Sequence, residues 1–506
     1  MSGIARIKDV LRKMGVPRAA DDEEFIKAKK TPSGGVAFPA VGDKFGGPIP
    51  LTASVLDSLI RNVPAGLPAL PMRLVCAWGD YVVAEPNDAI TAMIAYHSDK
   101  YVSGACYVKP STGVDTNDGL SPSTPFASVT KAMQTAGLPS RVVMLEDAVL
   151  APFDLRSTYA SQTTAETIKI LDGNGFDVRV RVSGPDLSAQ TWAQDGTYTN
   201  CWTTTLTLSG TASLTRVLQL NVLDNYGEPT PLKSYTSAAA LDAALSGYYY
   251  DSAGKVLWVN LGGASVKAAR GNLSALYKGT DGNARIMVSG ARLGLRGVRV
   301  EGCTLQLIDA DARRPEVWMH NTKSIWNHSV GVSMTNAGWC ISSDTFVYST
   351  AQDCVNATAP SATGKGLIHS LRSLFSRSGD LRIFADNATY QATSAHGGSD
   401  HVSWGCTYEL ANGQGIADTC TTNYNDVSWI VAAKIKRQGR ASPSLEFGSA
   451  STNASRKVYL DSCQSIGPAA ADLVIGTNAT VYVYNTALPT ITGGTVSAYS
   501  PDAPPA

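Results

Sequence analysis

The chain has 506 residues, and its 42 Lys+Arg are balanced by 42 Asp+Glu, so no bulk charge draws it to nucleic acid or to an acidic membrane surface. Charged residues make up only 17%, beside 46 glycines, against roughly 25% charged in an ordinary soluble domain; a surface polar through hydroxyls and amides suits long β architectures. No run approaches the apolar length of a membrane span, and MSGIARIKDVLRKMG places charges where a signal peptide needs an apolar core. Synthesis in a cytosol without membrane insertion is the expectation.

Residues 1–71 read as short helical pieces with a linker. Ser2 can cap a helix presenting Ile4, Ile7, Val10, Leu11 and Met14 on one face, ended by Gly15 and Pro17. Thr52 to Asn62 repeats the pattern with Val55, Leu56, Leu59 and Ile60, before Pro64, Pro68 and Pro71. Helices this short are marginal alone, so the apolar stripes need either an external partner or the protein's own body. Residues 72–105 are expected as a connecting neck, 106–189 as the first coils, 190–289 as a β-rich insert, 290–490 as the main body and 491–506 as a tail. The nine cysteines are scattered without CxxC spacing and read as buried small hydrophobes, with no metal or cofactor implied.

From about Gly290 an internal repeat appears. Apolar anchors recur at Trp318, Ile341, Ile368, Val402, Val427, Val458 and Val481, at intervals of 23 to 34 residues. A second column interleaves at Leu307, Val332, Val355, Tyr390, Ile416, Phe447 and Ile475. Gaps from the second column to the first are 6 to 13 residues, and from the first to the second 14 to 22. One corner is therefore nearly constant while the other takes insertions. Two strands per repeat, none able to bury its apolar side alone, stack into a parallel β-helix, so the predicted fold class is all-β.

The segment CYVKPSTGVDTNDGLSPSTPFASVTKAM, residues 106 to 133, resembles the leading segment of right-handed parallel β-helix proteins of the pectate-lyase-like superfamily, through Asp115, Asn117, Asp118, Gly119, Leu120, Ser121, Pro125 and Phe126. GYYYDSAGKVLWVNL, residues 247 to 261, also looks like a segment of such proteins. With a short helical N-terminal segment, the chain is most similar to bacteriophage tailspikes and tail fibres. The resemblance implies a homotrimer in the virion tail, joined to a tail or baseplate protein through its N-terminal segment, that binds and depolymerises host surface polysaccharide. A non-catalytic fibre or adhesin, or a secreted polysaccharide lyase, is the alternative.

No metalloprotease, hydrolase-elbow or dinucleotide motif occurs, so the chemistry falls to carboxylates and cations in the enlarged corners. The first carries Arg377, Asp380, Arg382 and Asp386; the second carries Lys434, Lys436, Arg437 and Arg440; Glu409 lies on the rung between them. Asp380, Asp386 and Glu409 are the candidate acid and base or nucleophile of glycoside cleavage, and the cations are candidate substrate ligands. For a uronate, Lys436 or Arg437 would neutralise the sugar carboxylate during elimination. The alternative is that these charges only solvate loops. His396 and Asp400 form either a base with its orienter or a tight turn with a hydrogen-bonded histidine. Asp344 and His369 are expected outward on adjoining rungs, in contact, and Trp404 and Trp429 inward as an aromatic stack.

Overall fold

The computed structural model describes residues 29–30, 36–37 and 61–499, except 79–80, 136, 157–167, 209–211, 280–283, 309–313, 336, 359–363, 381–388, 420–424, 437, 439–441, 449–454 and 468–469. Within these residues the chain is all-β, dominated by three long parallel sheets of twelve, ten and nine strands. The chain visits them in rotation: Trp339–Ser343 in the twelve-stranded sheet, Phe346–Thr350 in the nine-stranded, Val355–Thr358 in the ten-stranded, then Gly366–Leu371 beside the starting strand. A repeat therefore holds three strands where the sequence suggested two. The overlooked strand is short, only three residues in Lys323–Ile325, Thr407–Glu409, Lys434–Lys436 and Gln464–Ile466, too short for a period-2 pattern to register.

Sequence does mark the turn into that strand. It is two residues long, at 321–322, 344–345, 372–373, 405–406, 432–433 and 462–463. Its first residue is left-handed, from Arg372 at φ 47° to Gly405 at φ 65°. A side chain at Gly405 would also strike Val82, its β-carbon falling 2.7 Å from that residue. The second residue is small and buried, namely Thr322, Thr345, Ser373, Cys406, Ala433 and Cys463. Several tie their turn to the preceding round, as Thr322 Oγ1 does to the Leu295 carbonyl at 3.0 Å and Cys463 Sγ to that of Ile430 at 3.3 Å. The seven described cysteines are all free and buried.

Side-chain alternation splits the twelve-stranded sheet into two apolar layers. Val317, Cys340, Ile368, Val458 and Val481 join the core shared by the three sheets, with Phe375 and Ile435 from the nine-stranded and Val355 and Phe447 from the ten-stranded sheet. The opposite face carries the register Trp318, Ile341, His369, Val402, Trp429 and Tyr459. Most of these belong to a second cluster with Met72, Leu74, Val82, Ile90 and Met93. The first anchor column thus mixes two faces: Ile341 and Val402 flank His369, while Ile368 points into the core. Tyr390 lies outside any strand. Trp404 and Trp429, expected inward, pack edge to face at 5.3 Å in the second layer.

Residues 61–101, expected as linker and neck, are the cover of that second layer. They run opposite to the order of the repeats: Arg61 pairs with Asp461 at 3.4 Å, the Asn87 carbonyl takes Arg372 at 2.8 Å, and His97 binds Glu316 at 2.8 Å. The helix Ala89–Tyr96 starts on Asp88, whose carboxylate accepts from Ile90 and Thr91 amides, and it buries Ala89, Ile90, Ala92 and Met93. Glu316 also accepts from Trp318 Nε1 and Arg314. Burial pushes its carboxyl up, but His97, Arg314 and Arg292 outweigh that and hold it down to about 2.

The leading segment is explained by its own contacts. Asp115 accepts from the Ala127 and Ser128 amides and the Ser128 hydroxyl, and Asp118 accepts from the Leu120 amide and Thr124 hydroxyl. Gly119, at φ 67°, lies under the Phe126 ring, where a β-carbon would fall within 2.1 Å.

Between Val178–Val180 and Arg285–Ser289 the chain leaves the parallel sheets for two antiparallel ones. One contains Trp202–Thr205, Ser246–Asp251 and Val256–Leu261, the other Ser213–Leu223, Pro229–Pro231 and Leu273–Lys278. They enclose a separate core around Trp192, Leu206, Val217, Tyr248 and Val259. The unit docks on the nine-stranded sheet, with Leu218 and Leu276 against Ile325, Trp326 and Tyr348. Fully buried Arg216 donates to the Trp326, Asn327 and Ser349 carbonyls at 3.0, 2.6 and 3.3 Å, clamping two successive rounds.

If the second apolar layer is structural, Trp404→Ala should destabilise the protein by about 3–5 kcal/mol in urea titrations. Leu120→Ala, at a half-exposed position, should stay within about 0.5 kcal/mol.

Candidate functional site

The outer face of the nine-stranded sheet carries two neighbouring columns of side chains. Arg179, Arg299, Lys323, Phe346, Leu374, Thr407 and Lys434 stand opposite one another on successive strands. Beside them run Ile325, Tyr348, Ser376, Glu409 and Lys436. The turn between Ser213–Leu223 and Pro229–Pro231 lies across both columns. Asp224 shapes it by accepting from the Tyr226 and Glu228 amides at 2.9 and 3.2 Å.

Alternate residues of this turn reach the sheet. Tyr348 donates its hydroxyl to Asp224, and Tyr226 donates to Glu409 while lying 3.2 Å from the Ser376 hydroxyl. Glu228 takes Arg299 at 2.8 Å and Lys323 at 2.5 Å. The rings of Tyr226, Tyr348 and Phe346 cluster at centroid distances of 5.1 to 5.4 Å. Burial, then the Glu409 carboxylate, push the Tyr226 hydroxyl up to about 12, so it keeps its proton for Glu409 at neutral pH. Two carboxylates on an aromatic floor, with Arg377 close enough to act on the Tyr226 hydroxyl and Lys436 beside Glu409 in register, form a face able to bind a polyhydroxylated chain and exchange protons with it.

No protein-family model matches the chain, and no curated protein matches it. Among solved structures it is similar to a GH136 lacto-N-biosidase from Eubacterium ramulus, at 9% identity and a TM-score of 0.22, over 81% of this chain and 69% of that one.

Of the residues singled out from sequence, Glu409, Lys434, Lys436 and Arg377 share this face. Asp380 does not open onto it. Only 3% exposed, it accepts from the Ser349 hydroxyl at 2.7 Å. Arg382, Asp386, Arg437 and Arg440 lie outside the described residues. Asp224, Tyr226, Tyr348 and Phe346 were missed, because only the docking of the antiparallel unit carries Asp224 and Tyr226 to the sheet. A local signal existed in the turn sequence Asp224-Asn225-Tyr226-Gly227-Glu228, where an Asx turn presents alternate side chains on one side.

The remaining candidates have structural partners. Asp344 occupies the left-handed turn position and holds Arg372 bidentately at 3.0 and 2.7 Å. His369, expected to reach Asp344 at the surface, is instead fully buried beneath the cover segment, edge to face with Trp404 at 4.6 Å. His396 and Asp400 do not pair with each other. His396 Nδ1 lies 2.9 Å from Thr419 Oγ1, while buried Asp400 holds Lys365 at 2.7 Å and the Val427 amide at 2.8 Å. Burial, eased by Lys365, leaves the Asp400 carboxyl raised to about 6.

A further charged cluster fills the corner between the ten- and twelve-stranded sheets. His401 and Asp418 meet at 3.0 Å, Ser428 donates to Asp418 at 2.7 Å, and Arg456 donates to Ser428 at 2.8 Å and to the Ser399 carbonyl at 3.0 Å. All four are completely buried, so the cluster braces the corner and is closed to substrate. Among the described residues no group of three or more His, Cys, Asp or Glu is placed to hold a metal ion.

Among the described residues neither ring nitrogen of His369 has a hydrogen-bond partner. Burial, then the nearby His401, lower its pKa to about 3. The unfolded chain takes up a proton below about 6.5 and the folded chain does not, so His369 weakens folding progressively as pH falls from about 6.5 toward 3 and brings no such penalty above that range. His369→Leu should therefore stabilise the protein, by on the order of 2 kcal/mol at pH 5 and less at pH 8, in urea unfolding across pH. Equal effects at both values would contradict the buried neutral ring.

Proposed function

We propose that the three sheets wind as a right-handed parallel β-helix and that the chain is a bacteriophage tailspike, a homotrimer that recognises and depolymerises a host surface polysaccharide. What supports the winding is the rotation of strands among the sheets from Arg141–Met144 through Ala479–Tyr484 and the Asp115 to Phe126 segment with its resemblance to the pectate-lyase-like superfamily. What supports glycan chemistry is one observation: Asp224 and Glu409 stand on the same aromatic floor, each bound by a tyrosine hydroxyl.

Asp224 is held by Tyr348, and Glu409 stands two strands away across the strand bearing Ser376; glycoside hydrolysis uses two carboxyl groups that flank the scissile bond. In this reading one of Asp224 and Glu409 protonates the leaving oxygen and the other takes the proton of the attacking water. Tyr226 and Tyr348 are positioning residues that fix the carboxylates, and Phe346 offers its ring to the apolar face of a sugar. The competing reading is a non-catalytic fibre that binds through the same face. It draws support from both carboxylates already being engaged by tyrosines.

Incubating the protein with the purified host polysaccharide and measuring reducing ends separates the two. Cleavage should fall at least a hundredfold in Glu409→Gln and in Asp224→Asn, with the thermal midpoint within a few degrees of the parent. Binding without reducing ends would establish the fibre reading. Cleavage undiminished in both variants would remove this face from the reaction.

A further inference from the structure

A second recess lies on the same sheet but away from Glu409, at the seam where the antiparallel unit meets Ala148–Leu150 and Val178–Val180. Its volume is about 390 Å³, within the range of small-ligand pockets. Arg181 lines it, half-buried. No hydrogen bond engages its guanidinium among the described residues. Its Nη1 is ion-paired with Oε2 of buried Glu301 at 3.6 Å, beyond hydrogen-bond distance, while Arg299 donates to Oε1 at 3.1 Å. By contrast its neighbour Arg179 is satisfied by Asp177 at 2.9 Å.

The rim is apolar and wet. Val149 is 52% and Leu220 38% exposed. Leu220 is there because the pairing of Ser213–Leu223 with Pro229–Pro231 jumps from Gln219↔Thr230 to Leu223↔Pro229, throwing residues 220–222 out of the ladder. Such a bulge re-aims side chains, and here it turns a leucine into water beside the recess. Exposed Ser183 and Asp186, the latter accepting from the Ser188 amide and hydroxyl, join Ser188, Ser274 and Arg179 in the polar lining.

We propose that this recess binds an acidic monosaccharide unit, its carboxylate taken bidentately by Arg181, its hydroxyls by Asp186 and Ser183, and its apolar ring face by Leu220 and Val149. Beyond the Nη1 that faces Glu301, the guanidinium has donors left, and it selects a carboxylate over a hydroxyl because its planar fork matches two oxygens. The site is distinct from the Asp224 and Glu409 face, and its occupancy is measured directly, so it stands or falls independently of cleavage there.

The test is equilibrium dialysis of the full chain with labelled glucuronate and, in parallel, labelled glucose. Glucuronate should bind saturably and glucose at least tenfold more weakly. Arg181→Gln should weaken glucuronate binding at least tenfold. Leu220→Asp, at an exposed position, should do the same by adding a negative charge to the rim, with its unfolding midpoint unchanged. Absence of saturable glucuronate binding, equal binding of glucose, or parent-like affinity in both variants would overturn the assignment.

Discussion

The register between successive strands of the twelve-stranded sheet governs the rest of the molecule. Trp339–Ser343, Gly366–Leu371 and Ser399–Trp404 pair so that Cys340, Ile368 and His401 point one way and Ile341, His369 and Val402 the other. A slip of one residue would exchange the two sets on every affected strand. It would drive Trp404 and Asp400 into the inward places of Ser403 and Ser399, and would turn Ser403 toward the cover segment. Both faces are buried, one by the other two sheets and one by residues 61–101, so each face punishes the slip independently.

Buried polar groups add to that specification. Arg216, Arg456 and Glu316 are fully buried, and such groups rarely gain net stability from their partners after desolvation. Each joins segments far apart in sequence: Arg456 reaches the Ser399 and Ala395 carbonyls, Arg216 reaches those of Trp326 and Ser349, and Glu316 reaches His97. Shifted pairings would strand these charges without partners at a cost of several kcal/mol. The same geometry fixes the candidate site, since Tyr348, Ser376, Glu409 and Lys436 align only because their strands do.

Much of this was legible in the sequence, and the failures have physical causes. The recurrence of apolar runs, the near-constant corner and the Asp115 to Phe126 segment pointed to stacked parallel strands, because burial of repeated strands writes a period into the chain. The assignment of faces failed because both sides of the twelve-stranded sheet are apolar; a strand such as Gly366–Leu371, buried at every position, has no alternation to read. The third strand escaped because in four repeats it shrinks to three residues, which carry no period. Glu409 and the lysines of the second enlarged corner were found because they sit on the repeat itself. Asp224 and Tyr226 were not, because the antiparallel unit interrupts the repeat, and nothing local says on which sheet it comes to rest.

The register can be measured directly by cross-linking. Lys434 and Gln464 are paired across adjacent strands on the outer face, whereas Ser465 turns inward toward Ser444 at 2.7 Å. With strands about 4.8 Å apart, paired cysteines lie within disulfide reach. Lys434→Cys with Gln464→Cys should oxidise to an intramolecular disulfide, seen as a mobility shift reversed by reductant, while Lys434→Cys with Ser465→Cys should not. Cross-linking in the second pair and none in the first would contradict the register on which both the fold and the site depend.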